Sequence, residues 1–278
     1  MRLPTLLVLG DQLNRHHGPL ADHGPGDLRV LMIESRDLLT GLPHHAQKLI
    51  LVLSAMRHFA ADLEADGYDV DYVRHDDPTV HDFASGVRDH CRRLAPTSLL
   101  LQQPNDHGVA EAVDAACRTE GVPLEIAANP LWIVPDATYD AWAEGRATLR
   151  LEHFYRMARR ETGILLEPDG EPRGGQWNYD AENRKPPDPK LRPPQPAGFL
   201  PDAMTREVQE EVGSALDHAW GAAEPFAWPV TRNDAWTTLE AFLRNRLARF
   251  GDYQDAMVEG EPILWHSTLS VPLNLGLL

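Results

Sequence analysis

Short apolar or β-branched runs bounded by turn residues recur through the first 130 positions. They lie at 5–9, 29–33, 69–73, 98–102 and 124–126 and read as strands. Between them are stretches of helical spacing, 44–66, 79–94 and 106–120. In the first of these, Leu49, Val52, Leu53, Met56, Phe59, Ala60 and Leu63 recur about every 3.6 residues. Strands alternating with helices of this length imply crossover connections, and hence an α/β fold built on a parallel, doubly wound sheet. Such sheets bind ligands at the carboxyl ends of their strands, near the point where strand order reverses. That singles out the loops after Leu9 and Ile33.

The texture changes near Pro135. Residues 136–144 and 148–162 look helical, the second carrying Leu149, Leu151, Phe154, Tyr155 and Met157 among its arginines. From 166 to 201 the periodicity disappears and nine of the 23 prolines gather, which is long for an ordinary connection. Within it, Gly174-Gly175-Gln176-Trp177-Asn178-Tyr179-Asp180-Ala181-Glu182-Asn183-Arg184-Lys185 mixes aromatic, amide and basic groups that a passive tether does not need. Helical patterning returns at Asp202, and Thr231-Arg232-Asn233-Asp234 offers a cap for one helix running to Phe250. The pattern therefore divides the chain into 1–133, 134–201 and 202–278.

Composition and charge narrow the classes. With 278 residues, 42% hydrophobic and 24% charged, the chain reads as a soluble globular protein. No apolar run approaches the length of about 18 residues that a spanning helix needs. The N-terminal apolar run reads as a strand, not a signal peptide, so no membrane association and a cytoplasmic location are expected. Cys91 and Cys117 make neither a disulfide framework nor a four-ligand metal site. A formal charge of −16 excludes a protein that coats nucleic acid through overall charge. The charge is uneven, however. Residues 144–192 hold ten Lys/Arg against nine Asp/Glu, and Arg146, Arg150, Arg156, Arg159 and Arg160 face a single acid, Glu152. This stripe reads either as a solvated helix face or as a phosphate contact.

Three clusters carry candidate chemistry. Gly10-Asp11-Gln12-Leu13 follows the first strand and reads as a plain turn or as a ligand-facing loop. There is no G-x-G-x-x-G and no Walker sequence, so the usual dinucleotide and nucleoside-triphosphate readings lose support. Glu34-Ser35 ends the second strand, and His44-His45 with Lys48 open the following helix. Their groups suit a polar heteroaromatic ligand, with capping and surface duty as the competing reading. Adjacent histidines point about 100° apart on a helix, which argues against joint chelation of a metal. Near the end, Ser267, Thr268 and Ser270 serve either as a simple cap or as donors to phosphate oxygens, ahead of an apolar finish at Gly276-Leu277-Leu278.

Together these blocks resemble the cryptochrome/photolyase superfamily, and within it the bacterial deoxyribodipyrimidine photolyase-related branch that includes iron–sulfur (6-4) photolyases. The resemblance is carried by Leu9-Gly10-Asp11-Gln12-Leu13, by His44-His45 with Lys48, and by Ser54-Ala55-Met56-Arg57-His58-Phe59-Ala60. It continues through Phe154-Tyr155-Arg156-Met157-Ala158-Arg159-Arg160, the Gly174-to-Arg184 block and Phe250-Gly251-Asp252-Tyr253-Gln254-Asp255-Ala256-Met257. It closes with His266-Ser267-Thr268-Leu269-Ser270 and the terminal Gly276-Leu277-Leu278, so the whole length is covered in order.

The resemblance implies a Rossmann-like antenna domain at 1–133, a linker at 134–201 and the start of a helical FAD-binding domain at 202–278. It implies a lyase of the photolyase type, in which photoexcited reduced FAD gives an electron to a (6-4) or other pyrimidine dimer. The flavin does the hard chemistry, and the lesion is extruded from the duplex. The same scaffold serves cryptochrome-like blue-light photoreceptors, and a stand-alone chromophore-binding module is a third reading. Carried over residue by residue, Asp11, Gln12, Glu34, His44, His45 and Lys48 become contacts of a 6,7-dimethyl-8-ribityllumazine-type antenna pigment. Tyr253, Ser267, Thr268, Leu269, Ser270 and Asn274 become FAD contacts, and Arg156, Arg160, Trp177 and Arg184 contacts of damaged DNA. No catalytic side chain and no metal ligand is singled out. Members of the branch continue through the rest of the flavin pocket and four cysteines of a [4Fe–4S] cluster. The expectation is therefore a monomeric front half with an incomplete FAD site and no cluster, not competent alone.

Overall fold

The computed structural model describes residues 2–188, 190–216 and 218–278. Five strands, β1 (Thr5–Val8), β2 (Arg29–Ile33), β3 (Asp69–Val73), β4 (Leu99–Gln102) and β5 (Leu124–Ala127), pair in parallel in the order β3-β2-β1-β4-β5. Each lies within a residue of its expected bounds, and the doubly wound α/β class holds. Strand order reverses between β1 and β4, so the loops holding Asp11, Gln12 and Asn105 flank the switch point.

The helices are α1 (Pro19–Asp22), α2 (Arg36–Thr40), α3 (Ala46–Ala65), α4 (Phe83–Leu94), α5 (His107–Glu120), α6 (Asp136–Ala143), α7 (Leu151–Thr162), α8 (Ala203–Ala215), α9 (Arg232–Asn245), α10 (Leu247–Tyr253) and α11 (Ser270–Asn274). Alternation along the strands sends side chains to both faces of the sheet. Leu6, Val8, Val30 and Met32 meet Ala55, Phe59 and Leu63 of α3. Leu7, Leu31, Ile33 and Leu101 meet Val87 and Cys91 of α4 and Val113 and Cys117 of α5. The opposite side of α3, with Leu49, Ile50 and Leu53, is covered by Val208 and Val212 of α8 and by Phe226 and Val230. Burial on two sides explains why α3 is the longest helix among the described residues.

Three expectations change, the smallest being the helix expected at 148–162, which begins at Leu151. The helix expected at 79–94 begins at Phe83, because Asp82 and Ser85 close a capping box there. The single helix expected from Thr231 to Phe250 is α9 followed by α10. Arg246 breaks it: the side chain is 3% exposed and its guanidinium donates to the carbonyls of Pro194 at 2.7 Å and His266 at 3.0 Å. Its backbone leaves the helical region, with φ −127°, where the side chain turns inward.

The terminal apolar run is core. Leu275 and Leu277 pack on the α3 face of the sheet, the Leu13 N–H donates to the Leu275 carbonyl at 2.9 Å, and the Asn14 amide donates to the Gly276 carbonyl at 2.9 Å. Gly276 is required there, since its φ is 78° and a Cβ would lie 2.9 Å from the Leu13 nitrogen.

The chain forms two compact units. The first comprises Met1–Leu131, Ala197–Glu240 and Thr268–Leu278, the second Trp132–Pro196 and Ala241–Ser267. In the second, Tyr139, Trp142 and Phe154 form an aromatic trio at 5.2–5.8 Å, and Tyr253 stacks on Trp265 at 4.6 Å. Among the described residues no helix is long and apolar enough to cross a membrane.

Candidate functional site

The second unit holds a cavity of about 690 Å³ whose wall includes Tyr155, Arg159, Trp177, Asn178 and Tyr179. Helix α7 supplies one side. Phe154 anchors it to Tyr139 and Trp142 of α6, leaving Arg156, Arg159 and Arg160 together at i, i+3 and i+4. Their guanidinium carbons lie 5.4, 5.1 and 4.8 Å from the centre of the Trp177 ring, within cation–π range. The loop is shaped by Gly174, at φ 82°, where a Cβ would lie 2.4 Å from the Tyr179 hydroxyl, which donates to the Gly174 carbonyl at 2.7 Å. It is tied to α7 by the Asn178 amide, which donates to Glu152 at 2.9 Å, while Arg156 pairs with the same carboxylate at 2.6 Å. Those two contacts, Asn178 first, hold the Glu152 carboxyl below the usual range.

Three of the four expected DNA contacts thus meet. Arg184 instead pairs with Asp255 at 3.3 Å, beside the Lys185–Asp252 pair at 2.8 Å; like Arg156 and Arg160, it does not itself line the cavity. Arg156 is compensated by Glu152, whereas Arg160 is exposed and lies against Trp177. Arg159, which the sequence places only in the stripe, is 6% exposed and donates to the backbone carbonyls of Ile164, Leu165 and Trp177. Nothing in the spacing distinguishes it from its neighbours.

The six expected pigment contacts fall in three places within the first unit. Asp11 accepts from Asn105 at 2.8 Å, and the buried Gln12 donates to the carbonyls of Gln102 and Gln103. The Gln12 side-chain oxygen Oε1 is buried without a partner among the described residues, and the residue lines a void of about 10 Å³, room for one water. Glu34 accepts four hydrogen bonds, from Arg57 at 2.7 and 3.1 Å, Tyr72 at 2.7 Å and the His75 N–H at 3.0 Å. Arg57 also binds Glu211 of α8 at 2.7 Å, and Arg74 and His75 reach the same carboxylate. Burial pushes the Glu211 carboxyl up, but Arg57, Arg74 and His75 more than reverse this and bring it down to about 2. Burial and then the Glu34 charge push the Tyr72 hydroxyl far above its ordinary value.

His44, His45 and Lys48 sit together at the start of α3. His44 contacts the Leu38 carbonyl at 3.1 Å and the Lys48 ammonium at 3.4 Å. The His45 ring accepts from the Gln47 N–H at 3.1 Å, capping the helix, and meets the Trp220 ring edge-on at 4.6 Å. Trp220, itself 60% exposed, donates to the Pro43 carbonyl at 3.0 Å and was not foreseen.

Of the expected FAD contacts, Tyr253 and Ser267 fall in the second unit and Thr268, Leu269, Ser270 and Asn274 in the first. The Tyr253 ring is committed to its stack on Trp265. Thr268 adopts a left-handed backbone, φ 58°, uncommon for a β-branched residue, and Ser270 opens α11 with its side chain exposed. Cys91 and Cys117 are buried thiols, pushed up by burial to about 11 and about 12.

The family model described as deoxyribodipyrimidine photo-lyase-related protein matches residues 6–228. The (6-4) photolyase of Agrobacterium fabrum (strain C58 / ATCC 33970) is 36% identical over 274 residues, which is 98% of this chain and 54% of that protein. The crystal structure of a bacterial class III photolyase from Agrobacterium tumefaciens matches with a TM-score of 0.58 at 15% identity, over 100% of this chain and 51% of that one, a likeness of fold. The chain spans about half the length of these relatives.

Proposed function

The chain belongs to the deoxyribodipyrimidine photo-lyase-related family, and from that membership we propose that it serves light-dependent repair of pyrimidine dimers, such as the (6-4) photoproduct, in DNA. The observation that carries this reading is Trp177, which lines the 690 Å³ cavity beside Arg159 and has the guanidinium carbons of Arg156, Arg159 and Arg160 within 5.4 Å of its ring centre. An indole offers a stacking face to an unpaired base, and the exposed Arg160 offers a cation to a backbone phosphate. A damaged base costs less to extrude than an intact one, so a surface with a stacking face and a cavity favours lesions.

Within the first unit, the hydroxyls of Thr268 and Ser270 suit contacts to the phosphates of FAD, with Thr268 held in the left-handed turn ahead of α11. When bound, FAD supplies the photoexcitable electron donor. In the first unit His44, Lys48 and the exposed Trp220 suit a polar heteroaromatic antenna of the ribityl-lumazine type. Glu34 and the Gln12 amide are already spent on the protein's own groups.

The test compares binding of a duplex carrying one (6-4) dimer with the same duplex undamaged, by fluorescence anisotropy. The protein should prefer the lesion by about tenfold, and Trp177→Ala should abolish most of that preference, the effect of losing one base–aromatic stack. Equal affinity of the unaltered protein for both duplexes refutes the proposal.

A further inference from the structure

Arg159 stands apart from the arginines beside it. Arg156 and Arg160 are solvent-accessible, whereas the Arg159 guanidinium is buried and, among the described residues, pairs with no carboxylate. Its charge is met by carbonyl dipoles and π faces. Nε donates to the Ile164 carbonyl at 3.3 Å, one Nη to the Leu165 carbonyl, and the other to the Trp177 carbonyl at 3.2 Å. The rings of Tyr155 and Trp177 lie 5.4 and 5.1 Å from its central carbon.

The acceptors come from two segments without regular structure. Helix α7 ends at Gly163, φ 69°, and Leu165 follows in a left-handed conformation, φ 56°. The Leu165 carbonyl also accepts from the Arg173 N–H at 2.8 Å, which starts the path to Trp177. One planar fork therefore joins the end of α7, the turn after it and the backbone of Trp177 itself. An apolar side chain of similar length fills the same space without burying a charge, but removes a donor from three carbonyls, of which that of Leu165 keeps the Arg173 N–H. A lysine keeps the charge as a single point and does not span acceptors on separate segments.

We infer that Arg159 is a positioning residue, whose fork fixes the backbone of Trp177 on α7 and so sets how the indole faces the cavity. The inference rests on the reading of Trp177 as a lesion contact, but its geometric part stands by itself. In Arg159→Lys the net charge is unchanged while the loop loses its anchor. Trp177 then samples several orientations, and a base stacks on it less well.

The experiment uses the full chain with Arg159→Lys, Arg160→Lys and Trp177→Ala. Acrylamide quenching of Trp177 emission is isolated by subtracting the matching Trp177→Phe protein in each background, and binding of the damaged and undamaged duplexes is measured alongside. Arg159→Lys should raise Trp177 quenching about twofold and reduce lesion preference nearly as far as Trp177→Ala, about tenfold. Arg160→Lys, which only exchanges one cation beside the ring, should leave the quenching as it is. Wild-type quenching in Arg159→Lys, or the same rise in Arg160→Lys, overturns the inference. If Trp177→Ala keeps full lesion preference, the reading of the site fails, while the quenching pair still decides whether Arg159 fixes the indole.

Discussion

Replacing Arg57 by methionine should be among the most damaging single changes in the first unit. The Glu34 side chain is 0% exposed and Arg57 supplies two of its four hydrogen bonds. Arg57→Met leaves that carboxylate buried with only the Tyr72 hydroxyl and the His75 N–H, neither of which carries a compensating charge. Breaking one side of a buried pair costs about 3–5 kcal/mol, against a typical domain stability of about 5–15 kcal/mol. Glu211 loses less, because it is 21% exposed and retains Arg74 and His75. In the double replacement Glu34→Gln with Arg57→Met, the amide still accepts from Tyr72 or His75 and no unpaired charge remains. The double variant should therefore be more stable than Arg57→Met alone, by about 1.5 kcal/mol or more. Urea denaturation followed by far-UV circular dichroism at pH 7 measures all three proteins. A loss below about 1 kcal/mol for Arg57→Met, or a double variant no better than the single, refutes the argument that an orphaned Glu34 charge dominates the cost.

Glu211 makes stability depend on pH. Its folded value of about 2 lies below the ordinary 4.5, so its contribution is complete above pH 4.5 and lost as pH falls toward 2. It amounts to about 2 kcal/mol after discounting for solvent exposure, and Glu211→Gln should flatten the urea midpoint across that window; an unchanged slope counts against it. For DNA, Arg160→Ala should lower the salt dependence of binding by about one counterion while Arg156→Ala, already neutralised by Glu152, lowers it less; the reverse order would contradict the assignment. Lys48→Ala and Trp220→Ala should each weaken retention of added ribityl-lumazine in equilibrium dialysis, and unchanged retention in both removes the α3 start from the pigment site. Leu277→Ala, at 2% exposure, should cost about 2–5 kcal/mol in thermal or urea melts, and a shift within error would mean the terminal run is dispensable.

The sheet was legible because its strands are short and β-branched or leucine-rich, with turn residues at each end, and the three central ones are buried. Helix α3 was legible for the same reason: its apolar positions keep helical period while wrapping two faces. The break at Arg246 was not, since Leu239, Phe242, Leu243 and Leu247 continue the periodicity across it and only the distant carbonyls of Pro194 and His266 draw the side chain inward. The Trp177 block announced itself by composition, yet the difference between Arg156 and Arg159 is one of burial, which spacing does not encode. Glu34 stood at the expected strand edge with its chemistry already taken. Its partner Arg57 lies 23 residues away, and Arg57 in turn meets Glu211 across 154, separations that no local pattern reveals.

The pairing of Asn14 with Gly276, across 262 residues, bears on the time course of biosynthesis. Strand β1 leaves the ribosome long before Leu275 and Leu277, which share its core cluster. Until residues 275–277 arrive, Leu6, Val8 and Leu13 have only part of their apolar shelter. Closing contacts so far apart in sequence is slow, and partly sheltered strands invite misassociation meanwhile. The nascent sheet therefore waits, partly sheltered, for as long as the intervening residues take to be made.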